Sequence, residues 1–151
     1  MSPIVIFSLY ADPLHSGHLY CIKEAKKIGQ TYIIINNDKQ AALKKGRSFM
    51  PERERLEIVR SIREVDFAIL SCDEDRTVCK SIRQLAGINE EIYFINGGDS
   101  FNNNIPEAAV CEELGIKLVD GIGKKTQSSS VLIKNAQLIG DYKNGEIKTN
   151  N

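Results

Sequence analysis

Five short apolar runs, separated by stretches with helical spacing, constrain this chain more than any other feature. They read "PIVIFSL", "TYIIIN", "DFAILS", "EIYFING" and "IKLVDG". Each is too short for a buried helix. Each is nearly continuous in apolar character, with little in–out alternation, as in strands covered on both faces.

The intervening stretches carry the longer period. In "GHLYCIKEAKKIG", Leu19, Ile22, Ala25 and Ile28 share one face, and the lysines lie elsewhere. "PERERLEIVRSIREV" places Pro51 in a first turn and glutamates near the positive end of the helix. "EDRTVCKSIRQLAG" and "IPEAAVCEELG" read as further helices, the second stopped by Gly115. "SSSVLIKNAQLIG" reads as a last helix opened by serine. "DKQAALKKGRSF" is a basic loop or a partly helical excursion. Alternation of this kind predicts an α/β fold: a Rossmann-like open parallel five-stranded sheet with helices on both faces, in a single domain. At 151 residues the chain suits one such domain, spanning 1–140, with 141–151 as a polar tail.

Lys plus Arg and Asp plus Glu balance at 20 each, so a nucleic-acid coat or an anionic membrane surface is not the expected partner. No apolar run approaches the length that spans a bilayer. The opening "MSPIVIFSLY" lacks a basic region and a cleavage site, and Cys21, Cys72, Cys79 and Cys111 are scattered. Reduced thiols and a cytoplasmic location are the expectation.

In an open parallel sheet, ligands bind beyond the carboxyl ends of the strands, where the strand order reverses. Four unusual stretches fall at such ends: "HSGH", "NND", "GGDS" and "KKTQSSS". "HSGH" holds both histidines of the chain, His15 and His18, at a spacing that lets them point the same way on a first helical turn. A metal reading would add Cys21 or Asp12, but a structural zinc site wants four ligands and no fourth stands nearby. Gly17 between the histidines allows close backbone approach, and a helix start favours anions. Phosphate therefore ranks ahead of metal, and no metal-ligating residue is assigned. "KKTQSSS" offers more donors than one helix cap needs and forms a second anion cradle. In "INGGDS" the glycines allow a flat ligand against the backbone, with a tight turn as the competing reading.

Together these stretches resemble the HxGH nucleotidylyltransferase superfamily of the cytidylyltransferase type. "HSGH" matches its first motif, "QSSSVLIK" its ISTT- or SSTT-like motif, "FMPERERLEIVRSIREVD" its arginine-bearing helix and "NGGDS" its GGD-type turn. The likeness runs from about Pro3 to Ile139. It implies transfer of CMP or AMP, with CTP the first choice over ATP, to a small phosphorylated acceptor, with Mg²⁺ as cofactor and a homodimer as the assembly. By the same resemblance His15, His18 and Lys45 are the catalytic set. Ser8, Leu9, Tyr10, Asp12, Gly17, Lys44, Arg55, Gly97, Gly98, Asp99, Ser128, Ser129 and Ser130 are the nucleotide-binding set. The chain departs from the pattern at Leu9 and Ala11, where the family carries glycine and phenylalanine, and at Ala42, where a lysine is common. Leu9 makes a nucleotide-binding protein without catalysis the rival reading.

Overall fold

The structure, a computed structural model, describes residues 2–87, 91–96 and 105–120. Among these residues ten elements follow one another: β1 (Ile4–Leu9), α1 (Ser16–Ile28), β2 (Gln30–Ile35), α2 (Asp38–Lys45), α3 (Glu52–Arg60), β3 (Phe67–Leu70), α4 (Cys79–Leu85), β4 (Ile92–Asn96), α5 (Glu107–Leu114) and β5 (Lys117–Asp120). The expected serine-led helix and the polar tail lie outside the described residues.

All five strands run parallel, in the order β3-β2-β1-β4-β5. The chain moves from β1 outward through β2 to β3, then resumes on the other side with β4 and β5. The order reverses between β1 and β4, which opens a crevice beyond the carboxyl ends of those strands. This is the Rossmann-like single sheet that the apolar runs predict.

Strand alternation builds two cores. Val5, Phe7 and Leu9 of β1 face one side, with Ile22 and Ala25 of α1 and Leu56 and Val59 of α3. Ile4 and Ile6 face the other, with Val78 preceding α4, Ile82 and Leu85 of α4, and Val110 and Cys111 of α5. A fully buried aliphatic side chain contributes roughly 1.5–3 kcal/mol, so both clusters are needed to hold the sheet. Gly29 sets the junction of α1 and β2: a Cβ there would stand 2.1 Å from the Pro3 carbonyl oxygen.

Several boundaries differ from the sequence pattern. "DKQAALKK" is a helix because Asn37 and Gln40 cap it reciprocally: the Asn37 side chain accepts from the Gln40 amide (2.9 Å), and Gln40 Oε1 accepts from the Asn37 amide (3.0 Å). Gly46, at φ 91°, ends it. α3 stops at Arg60, and "EDRTV" is a loop ahead of α4. Ile28 is 37% exposed, so the buried stripe of α1 ends at Ala25.

Candidate active site

The loop after β1 crosses to α1 through Ala11, at φ 51°, and a cis Asp12–Pro13 bond. His15 is the N-cap of α1 and His18 is its third residue. His15 Nδ1 accepts from the Gly17 amide at 3.1 Å, and His18 Nδ1 accepts from the His15 amide at 3.2 Å. The two rings stack with centroids 3.7 Å apart. Both Nδ1 atoms thus serve as acceptors, and the neutral rings carry their protons on Nε2. Imidazoles have taken the place of the usual serine or aspartate cap, so helix capping and ring orientation are the same set of bonds.

Burial pushes the His18 pKa down to about 4, and the nearby His15 and Lys44 push in the same direction. At neutral pH the ring is an uncharged N–H donor. No acidic residue occupies the first turn of α1, so the positive end of the helix is not neutralised by its own sequence.

Asp12 has 0% exposure and ties the loops together. Its carboxylate meets Lys45 Nζ at 2.6 Å and accepts from the amides of Phe49 (2.8 Å) and Met50 (2.6 Å). Burial alone would raise its pKa, but Lys45 and the two amides outweigh burial and hold it below the usual range. Arg55 is likewise fully buried. Its guanidinium donates to the carbonyls of Met50 (2.9 Å), Tyr10 (2.7 Å) and Asn36 (2.6 Å), and to the Asp38 carboxylate (2.8 Å). Asp12 and Arg55, expected to touch nucleotide, are both buried: Asp12 ties the loop after β1 to the segment between α2 and α3, and Arg55 ties α3 to the loops after β1 and β2. Lys45 docks on Asp12, while Lys44 lies over the Tyr10 ring at 4.3 Å.

Leu9 is buried with Val5 and Phe7, so the residue standing at the family's glycine position is absorbed by the core. Ser8 is half-buried near the end of β1, opposite Ile34. Gly97, Gly98, Asp99, Ser128, Ser129 and Ser130 lie outside the described residues. Among the described residues, no group of three or more His, Cys, Asp or Glu side chains could hold a metal ion. Asp12, the carboxylate closest in sequence to the histidines, is already committed to Lys45 and two amides.

A third loop, between β3 and α4, was not singled out in the sequence as part of the site. Gln40, fully buried, donates through Nε2 to the carbonyls of Asp75 (2.8 Å) and Thr77 (2.7 Å), on either side of Arg76. Asn37 donates to the carbonyls of Ser71 (3.0 Å) and Asp73 (2.9 Å). The "NND" stretch thus couples the end of β2 to this loop. Arg76 lies beside the Tyr10 hydroxyl. The signal was "NNDKQ", whose side-chain amides at the end of β2 can staple a neighbouring loop, though nothing in the spacing names a loop 35 residues away.

The parallel α/β sheet carries a stacked histidine pair at the start of α1, beside the point where its strand order reverses. A family model described as cytidylyltransferase-like matches residues 10–140. The chain belongs to the cytidylyltransferase-like family, a group of nucleotidyltransferase-like proteins. It is 40% identical over 65 residues to an FAD synthase of Methanohalophilus mahii, covering 42% of this chain and 45% of that protein. It is 32% identical over 104 residues to an FAD synthase of Methanosphaerula palustris, covering 68% of this chain and 61% of that protein. The match thus spans about half the length of these curated relatives. A lipopolysaccharide core biosynthesis protein from Thermoplasma volcanium shares the fold, with TM-score 0.66, 22% identity, and coverage of 81% of this chain and 98% of that one. Among the described residues no helix is long and apolar enough to cross a membrane.

Proposed function

We propose that this chain is a nucleotidylyltransferase that moves a nucleoside monophosphate from a nucleoside triphosphate to a small phosphorylated acceptor. An acceptor phosphate oxygen attacks the α-phosphorus. The bond from that phosphorus to the bridging oxygen breaks, and pyrophosphate leaves. A phosphate monoester has a second pKa of about 6, so the nucleophile is already anionic at neutral pH and no general base is required. The work left to the protein is alignment and charge stabilisation.

The observation that carries the reading is the interlocked histidine pair. With both Nδ1 atoms bound to backbone amides, the Nε2–H groups are held in fixed directions at the start of α1. They donate to the α-phosphoryl oxygens as charge builds there. Lys44 adds positive charge, and Asp12, Lys45 and Arg55 keep the loops in register. When bound, Mg²⁺ would supply charge neutralisation for the leaving pyrophosphate. The Leu9 side chain is buried in the core, which supports catalysis over a binder without turnover.

The relatives' name favours ATP over CTP and makes FMN the first acceptor to try. The same reading keeps one catalytic domain over 1–140, the residues 97–99 and 128–130 as further nucleotide contacts, and a cytoplasmic homodimer.

The test is pyrophosphate release with Mg²⁺, crossing ATP and CTP against FMN, glycerol 3-phosphate, phosphocholine, phosphoethanolamine and sugar 1-phosphates. Turnover with one pair, lost in His18→Ala, supports the reading. No turnover, and no thermal stabilisation by either nucleotide, sinks it.

A further inference from the structure

The peptide that joins Thr77 to Val78, at the start of α4, is gripped by both of its polar atoms. Gln40 Nε2, from α2, donates to the Thr77 carbonyl at 2.7 Å. Glu107 Oε1, from the first turn of α5, accepts from the Val78 amide at 3.1 Å. Gln40 and Val78 are both buried. α2 follows β2 and α5 follows β4, and these two strands flank β1 on opposite sides. One peptide group therefore ties together the two sides of the point where the strand order reverses.

The tie is the directional part of the packing around it. Val78, Ile82, Val110 and Cys111 share one apolar cluster, which holds α4 against α5 but does not fix how far one slides along the other. α4 cannot hold the Val78 amide through its own cap, because the N-cap residue is that valine, which has no side-chain acceptor. The other polar link between the two helices, Arg83 with Glu113, is exposed near their far ends, where such a pair contributes little. With its carbonyl and its amide both bonded, the peptide is polarised, and each bond strengthens the other.

We propose that Glu107 is a positioning residue for the nucleotide: through the Thr77–Val78 peptide it sets the start of α5 relative to α2, and with it the width of the crevice beside β1. This rests on the nucleotidyl-transfer reading and deepens it. A nucleotide seated at the switch point lies between the two sides that the tie joins. Without the Glu107 oxygen, α5 keeps its apolar face on the sheet while its start loses the bond that locates it. The histidine pair stands on α1, which the tie does not include, so the loss falls on nucleotide binding and not on the chemical step.

The probe is a non-hydrolysable ATP analogue with Mg²⁺, titrated by calorimetry into the wild type, Glu107→Gln, Glu107→Asp and Glu107→Ala. Glutamine keeps an oxygen at the same reach. Aspartate keeps the charge but falls one methylene short, and alanine has neither. Glu107→Asp and Glu107→Ala are expected to weaken the analogue about threefold to tenfold, as for one lost hydrogen bond, with Glu107→Gln within about twofold of the wild type. In the pyrophosphate assay the two weakened variants raise the KM for ATP and keep kcat. Glu113→Ala, which breaks the exposed pair at the other end of α5, leaves affinity and KM unchanged. If Glu107→Ala does not fold, the aspartate and glutamine variants decide. Wild-type affinity in Glu107→Asp overturns the inference, as does an equal loss in Glu107→Gln. Failure of the wild type to bind the analogue overturns the nucleotidyl reading and this inference with it.

Discussion

α1 and α4 both begin at the carboxyl end of a parallel strand, and their first turns are finished in opposite ways. At α4 the carboxylate of Asp73, only 2% exposed, accepts from the amides of Lys80 (2.8 Å) and Ser81 (3.0 Å) and from two serine hydroxyls. The chain supplies its own anion, and the positive end of that helix is used up. At α1 the cap is a neutral imidazole, with no acid in the first turn. Geometry is satisfied while charge is not. A helix start closed by a carboxylate is structure; one closed by a neutral acceptor leaves its field for an anionic ligand.

The largest expected break in this contrast comes from the histidines. Removing one donor to a developing oxyanion typically costs about 3–4 kcal/mol, or on the order of 10²–10³ in rate. His15→Ala and His18→Ala should each lose turnover on that scale in the pyrophosphate assay while still unfolding cooperatively, with the midpoint lowered by the loss of a capping bond. A variant with near-normal rates would remove the pair from the chemistry.

The histidine pair also has an acid limit, set by His18. His18 has a folded pKa of about 4, against an ordinary value of 6.5. Between these values the unfolded chain binds the extra proton and the folded chain does not. The stability contributed is therefore fully present above pH 6.5 and is lost as pH falls through about 4, to a total of about 3 kcal/mol. Urea unfolding across that window should show this loss in the wild type and not in His18→Gln. Parallel profiles for the two would show that the ring is not held neutral by the fold.

At α4 the prediction reverses. Asp73→Ala removes four accepted hydrogen bonds from a buried cap, which should cost about 2–3 kcal/mol of stability. Nucleotide affinity should stay close to the wild type. Loss of nucleotide binding in a folded Asp73→Ala protein would erase the distinction between the two helix starts.

Much of this was legible in the chain. The apolar runs place the five strands, and "HSGH" marks the open helix start from residue types alone. What was not legible depends on contacts between loops. Asp12 and Arg55 match a family pattern for ligand contacts, and spacing does not reveal that both are buried and bonded to neighbouring loops. Nothing in the sequence links Gln40 to the exposed Arg76, 36 residues later, whose flanking peptide carbonyls it holds. The helical state of "DKQAALKK" turned on a reciprocal cap that its weak apolar pattern does not announce.

The smallest effect is the sharpest test, because it converts α1 into the α4 type. Ser16 is exposed at the first position of α1. Ser16→Asp places a carboxylate near the positive helix end, where such a charge adds about 0.3–1 kcal/mol of stability. The same charge repels a triphosphate: two unit charges about 4 Å apart interact by about 1 kcal/mol even in water, a several-fold loss of affinity. A slightly raised melting temperature with weakened nucleotide binding, the binding defect shrinking as salt is added, is the expected pair of outcomes. If the variant is stabilised and binds nucleotide as well as the wild type, the phosphate does not sit at the start of α1. The neutral caps would then be only an unusual way to begin a helix.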